Sequence, residues 1–144
     1  MTAGITAANE GQGGISWNIL GQTYWPKQHS VSSFAFDTLF PPGSFVPPHS
    51  HADQDEFIHV HASMFELLLD GQTCFAAAGD LVRLPMGIPH GIFNKSTAPV
   101  RALFWLAPAN RAYEMFSRMN NVADPGEVIR IAAEYQVTFP PPPG

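Results

Sequence analysis

The sequence predicts an all-β domain, a sandwich or barrel of short strands, followed by a short helical extension. Three observations carry this reading. From Ile15 to Ala107 the chain runs in short aromatic and β-branched stretches, broken at near-even intervals by Gly, Pro, Asn and Asp. Asp70-Gly71 stands between two such stretches as a two-residue hairpin signal. Helical spacing of apolar residues begins only after Pro108.

Residues 1–14 are small, polar and Gly-rich, and read as a flexible N-terminal arm. The β core is expected over residues 30–107. Its runs are Ser32–Phe40, stopped by Pro41-Pro42-Gly43, then Glu56–His61, Phe65–Leu69, Cys74–Ala76, Asp80–Leu84, His90–Phe93 and Val100–Leu106. A helical extension is expected over 108–139. Tyr113, Met115, Phe116 and Met119 share one helical face. Asp124 caps Pro125 at a helix start, and Val128, Ile131, Ala132 and Tyr135 form the apolar face that follows. Two short helices packed outside the strands account for this segment. Residues 140–144 read as a Pro-rich tail.

A chain of 144 residues and 15.7 kDa suits one domain with its own core. Charged residues make up 13%, about half the usual ~25%, which points to a covered face and hence a homodimer. A net charge of −5 argues against nucleic acid or an anionic membrane as partner. The N-terminus lacks a basic and apolar leader, and no apolar run approaches the ~18 residues that span a bilayer. A cytoplasmic protein is expected. Cys74 is the only cysteine and reads as a small core residue.

Chemistry concentrates in two Gly/Pro-punctuated segments. The first runs from Gly43 through Pro47-Pro48-His49-Ser50-His51 to Glu56, the second from Gly79 through Pro85-Met86-Gly87-Ile88-Pro89-His90 to Asn94. On a strand, His49 and His51 point the same way. A short polar turn, residues 52–55, then returns Glu56 on a neighbouring strand. With His90 these make three imidazoles and one carboxylate. That set suits one divalent transition metal per chain (Fe, Mn, Ni, Co or Zn), not an all-oxygen Ca or Mg site. Prolines just before each ligand pre-set the backbone that a well-defined site requires. Against this, the three histidines could be ordinary loop and turn residues. His59 and His61 repeat the His-x-His pattern, but if Glu56 points inward then Ile58 and Val60 do too, and both histidines face outward. Asp53 and Asp55 read as solvated turn residues, one of which could orient a ligand. Lys95, Arg83 and Arg101 read as surface charges. Phe45, Phe57, Phe93, Phe104 and Trp105 are expected in the core, the inward ones lining an apolar cavity.

The two segments resemble the motifs of the cupin superfamily. The first, Gly-x5-His-x-His-x4-Glu-x6-Gly, holds from Gly43 to Glu56 and departs at Ser63; the second, Gly-x5-Pro-x-Gly-x2-His-x3-Asn, holds throughout from Gly79 to Asn94. The resemblance implies a jelly-roll-type cupin barrel and reinforces His49, His51, Glu56 and His90 as metal ligands. The helical extension adds a looser likeness to small bacterial quercetinase-like proteins. This implies a dioxygenase acting on a small phenolic or enolisable carbonyl substrate, with Glu56 both ligand and catalytic base. The same ligand set also allows an oxygen-independent lyase, isomerase or decarboxylase, or a binding module that uses the metal as an anchor.

Overall fold

The computed structural model describes residues 1–140. Eleven strands and two helices follow one another: β1 (Trp17–Ile19), β2 (Gln22–His29), β3 (Phe34–Phe40), β4 (Phe45–His51), β5 (Asp55–Ala62), β6 (Met64–Leu69), β7 (Gln72–Ala77), β8 (Leu81–Leu84), β9 (His90–Phe93), β10 (Val100–Ala107), α1 (Ala112–Met119), α2 (Pro125–Ala133) and β11 (Val137–Thr138). They form two antiparallel sheets, ordered β1-β2-β3-β10-β5-β8 and β11-β4-β9-β6-β7. Among the described residues no ladder joins the sheets, so the jelly roll is a sandwich rather than a hydrogen-bonded barrel. The strands extend beyond residues 30–107 on both sides, because β1, β2 and β11 join these sheets.

Alternation fixes the inner face. On β3, Phe34, Phe36, Thr38 and Phe40 are buried while the residues between them are not; on β10, Val100, Ala102, Phe104 and Leu106 do the same. Phe36 stacks on Phe104 at 5.4 Å, and Phe40 meets Phe65 edge-on at 4.9 Å across the sandwich. Each fully buried Phe contributes roughly 1.5–3 kcal/mol. Thr38 avoids an unmet hydroxyl by donating to the Ala102 carbonyl at 2.9 Å. The β6–β7 hairpin turns through Asp70 and Gly71, both at positive φ (47° and 82°), as a two-residue loop demands.

The helices lie outside the strands with their apolar faces turned inward. Met115 and Met119 of α1, and Val128, Ile131 and Ala132 of α2, are buried. Asp124 caps α2 by accepting from the Gly126 N–H at 3.1 Å. Tyr135 lies beyond the end of α2, half-buried, with Arg111 and Arg118 over its ring. The N-terminal arm is tied along β2: Thr6 Oγ1 donates to the Lys27 carbonyl, and Lys27 Nζ donates to the carbonyls of Ala7 and Glu10. Beyond Pro140 the expected Pro-rich tail lies outside the described residues. Among the described residues, no helix is long and apolar enough to cross a membrane.

Candidate metal centre

The ligand strands meet across the sandwich. His49 and His51 project from β4, and His90, in register with His49, begins β9 beside it. The β4–β9 ladder shifts register between Val46 and His49, where Pro47 and Pro48 supply no N–H. Glu56 comes from the other sheet, where β5 pairs with β10 and β8. This corrects the expectation of a neighbouring strand: the turn after His51 crosses from one layer to the other, and Glu56 faces the imidazoles.

All four residues are buried, and one ligand atom from each lies within 4.8 Å of the others. His90 Nε2 and His51 Nε2 stand 2.8 and 3.7 Å from Glu56 Oε2. Two imidazoles are oriented by backbone. His49 Nδ1 lies 2.9 Å from the Pro47 carbonyl and His90 Nδ1 lies 3.3 Å from that of Ile88. A carbonyl only accepts, so Nδ1 carries the proton and Nε2 is left as a ligand lone pair. Both nitrogens of His51 have no hydrogen-bond partner, and with the His90 proton on Nδ1 the approach of His90 Nε2 to Glu56 Oε2 sets lone pair against lone pair, so neither of those atoms meets a donor. Four such orphans in one buried cluster are costly unless a cation lies among them. The donor set therefore fits a divalent transition metal.

Electrostatics agree. Burial, then the neighbouring charge of His90, pushes His49 down to about 3; burial likewise lowers His51. Burial alone would raise Glu56, but the close contact with His90 and the electrostatic attraction of the surrounding imidazoles outweigh it and lower the carboxyl to about 2. At neutral pH His49 and His51 are neutral and Glu56 is ionised, the forms that bind a dication.

The loop that delivers His90 is fastened to the first motif. Asp55 Oδ1 accepts from the Met86 N–H at 2.9 Å, and the Gly87 N–H donates to the His51 carbonyl at 2.7 Å. Gly87 sits at φ +79°, which explains its residue type. Asp55 is thus a positioning residue, whereas Asp53 is exposed. Asn94, at the end of the second motif, is fully used: its amide donates to the carbonyls of Phe40 and Ala98, and its Oδ1 accepts from Ser96. Gln54, which the sequence did not single out, is buried and donates to the carbonyls of Pro108 and Ala109, beside His51.

His49, His51 and Glu56 open into a cavity of about 540 Å³ between the sheets and the two helices. This is a size suited to a small organic ligand. Its lining is mostly apolar, including Phe36, Phe104, Ile92, Met115 and Phe116. Of the five aromatics expected in the core, only Phe104 is buried there. Phe57 and Trp105 pair across β5 and β10 and stack at 5.2 Å on the outer face. Phe45, 54% exposed, stacks on half-buried Phe93 at the cavity rim. Strand parity is the reason: Phe57 neighbours inward Glu56, and Trp105 neighbours inward Phe104. His59 is half-buried and His61 exposed, both on the outer face, with His61 Nε2 3.9 Å from Asp37. Lys95 pairs with Glu66, Arg101 lies over Trp25, and Arg83 is exposed. Sequence reading did not find Gln22, Tyr24 or Phe139 as lining residues; Phe139 stacks on His49 at 4.8 Å. The Val137-Thr138-Phe139 triplet was the available signal, a short β-type run before the prolines.

Residues 36–106 match the family described as "Cupin domain". The sequence matches none of the curated proteins. Among solved structures, an RmlC-like cupin from Shewanella frigidimarina superposes with TM-score 0.68 at 17% identity, covering 78% of this chain and 96% of that one. KdgF from Halomonas sp. does so with TM-score 0.62 at 21% identity, over 67% and 91% of the two chains. The salicylate 1,2-dioxygenase of Pseudoaminobacter salicylatoxidans gives TM-score 0.53 at 22% identity, covering 59% of this chain and 25% of that one. The chain has the cupin fold, and the stretch that matches the cupin domain is the one that carries all four residues of the buried cluster.

Proposed function

We propose that the protein is a mononuclear metal-dependent dioxygenase acting on a small aromatic, phenolic or enolisable carbonyl substrate in the cytoplasm. The observation that carries this reading is the buried His49–His51–Glu56–His90 cluster, three of whose members open into a mostly apolar, aromatic-lined cavity of about 540 Å³. The fold likeness to a salicylate dioxygenase supports it. A bound divalent ion would polarise substrate oxygens and, if redox-active, support dioxygen chemistry. The chain supplies the rest. His49, His51 and His90 would hold the ion through their ring nitrogens. Glu56 turns Oε2 toward the imidazoles, leaving Oε1 to take a hydroxyl proton from substrate. The apolar walls orient a flat ligand and exclude water.

Metal analysis of protein purified without added metal, followed by oxygen-electrode assays with phenols, salicylate and β-dicarbonyls, tests the reading. We expect one substrate class to be consumed together with dioxygen. Equal turnover under strict anaerobiosis would move the protein to the lyase, isomerase or decarboxylase class. Metal-dependent binding without turnover would make it a binding module.

We also propose a homodimer in which the outer face bearing Phe57, Trp105 and Trp25 is covered by a second copy. Light scattering should give about twice the 15.7 kDa chain mass; a monomer at micromolar concentration would reject it.

A further inference from the structure

Strand β2 places a second polar group in the cavity wall, apart from the ligand cluster. Gln22 and Tyr24 alternate with outward residues, are 2% and 6% exposed, and both line the cavity. Strands β3 and β10 separate β2 from β5, so the pair occupies a different part of the wall from Glu56. Around it the surface is apolar: the Tyr24 ring packs against Phe36 and Phe116, each at 5.4 Å.

Hydrogen bonding gives the pair a direction. Gln22 Nε2 donates to the Phe45 carbonyl at 2.9 Å. A carbonyl cannot donate, so the amide cannot be flipped. Its Oε1 therefore faces the phenol and accepts from the Tyr24 hydroxyl at 2.7 Å. The phenol proton is committed to Gln22, and what the Tyr24 oxygen offers the cavity is a lone pair. Burial, reinforced by the Glu56 charge, raises the phenol above its ordinary range, so the proton stays in place.

We propose that the Gln22–Tyr24 pair is a specificity-determining acceptor, selecting ligands that carry a hydroxyl or N–H donor away from their metal-binding oxygens. The inference rests on the reading of the cavity as a site for small aromatic or enolisable carbonyl compounds, and it narrows that class. A ligand presenting an ether or carbonyl oxygen at this point sets lone pair against lone pair. Neither water nor a flipped amide can relieve that in an apolar wall. A donor-bearing ligand instead completes a chain from itself to Tyr24, Gln22 and the Phe45 carbonyl.

The test uses the zinc-loaded protein and binding alone, read by calorimetry. The probes are 1-phenylbutane-1,3-dione, its 2-, 3- and 4-hydroxyphenyl derivatives, and the methyl ether of each. For at least one ring position the hydroxyl compound should bind about fivefold or more tighter than its ether, the size of one neutral hydrogen bond. Tyr24→Phe should bring that ratio close to one, weakening the hydroxyl compound while leaving the ether bound as well as before or better, whereas a general loosening of the cavity would weaken both. Gln22→Leu should also narrow the ratio, by freeing the Tyr24 hydroxyl to donate to the ether; it carries the test if Tyr24→Phe fails to fold. Ratios near one at every ring position, or a ratio that survives Tyr24→Phe, would overturn the inference while leaving the cavity's ligand class standing. No binding of any of these diones would overturn both.

Discussion

His49-x-His51 and His59-x-His61 are the same pattern ten residues apart, each on a strand and each pointing both rings to one face. Their ring separations are nearly equal, 5.3 and 4.9 Å. Their fates differ. The first pair is 5% exposed at both residues, faces Glu56 across the sandwich and has His90 beside it. The second lies on the outer face of the six-stranded sheet, where His61 has one distant carboxylate, Asp37, and is open to solvent. Spacing therefore brings two ligands together but does not make a site. What makes one is a neighbouring strand that adds His90 and a second layer that adds Glu56 and buries the group, so that the donors have no partner but an ion.

The comparison can be broken most directly by metal content. Removing His51 or His90 by alanine substitution should lower bound metal by at least about tenfold, whereas His59→Ala and His61→Ala should leave it unchanged. Elemental analysis after dialysis decides, and full occupancy in a His49/His90 double variant would remove the proposed site. Glu56→Gln should come next: the amide keeps the shape but cannot accept the substrate proton, and turnover should drop by about 100-fold or more. Oxygen-electrode rates on variant protein with matched metal content provide the check.

A third effect is smaller and concerns pH. His49 has a folded pKa of about 3 against 6.5, so between those values the unfolded chain binds the proton and the folded one does not. Stability of the metal-free protein should fall as pH drops from about 6.5 toward 3. Glu56, lowered from 4.5 to about 2, adds loss of the same sign below about pH 4.5. Thermal melts of metal-free protein at pH 7, 5.5 and 4 should show the decline, and His49→Ala should flatten its upper part. Replacing His59 should not. Smallest is Ser63→Gly, at the corner between β5 and β6. Ser63 takes φ +67° where the cupin pattern has Gly. The left-handed conformation costs a non-glycine residue roughly 1–2 kcal/mol, and glycine gives back about 0.5–1 through chain entropy. A gain of about 0.5 kcal/mol in denaturant unfolding is expected; destabilisation would show that the Ser63 side chain is needed there.

The convergence of His49, His51, Glu56 and His90 was legible because local signals surround them: prolines and glycines that set backbone, and an i, i+2 pair whose faces follow from strand geometry. The hairpin at Asp70-Gly71 and the Asp124 cap were legible for the same reason. What depended on non-local pairing was not. Strand β2 carries Pro26, which argues against a central strand, yet β1 pairs only with Gln22–Tyr24 and leaves Pro26 at an unpaired stretch of edge. Without β2 the Gln22–Tyr24 pair could not be placed. The turn at 52–55 is compatible with a hairpin or a crossing, and only the pairings of β4 with β9 and β11 decide for the crossing. Phe57 and Trp105 were assigned by hydrophobicity, although the parity that turned His59 outward also applied to Phe57.

Glu56 stands alone in the buried cluster in coming from the six-stranded sheet. The two layers share no hydrogen-bond ladder, so apolar packing and the chain's own crossings hold them face to face. An ion shared by Glu56 and the three histidines would act as a rivet through both layers, binding the assembled sandwich and not its separated halves. Its affinity would then be felt as resistance to delamination, growing with the logarithm of free metal concentration. Backbone amides of β5 and β4, far apart in either sheet's ladder, would exchange hydrogen more slowly together when metal is added. Chelation would loosen the cavity walls at the moment it empties the site.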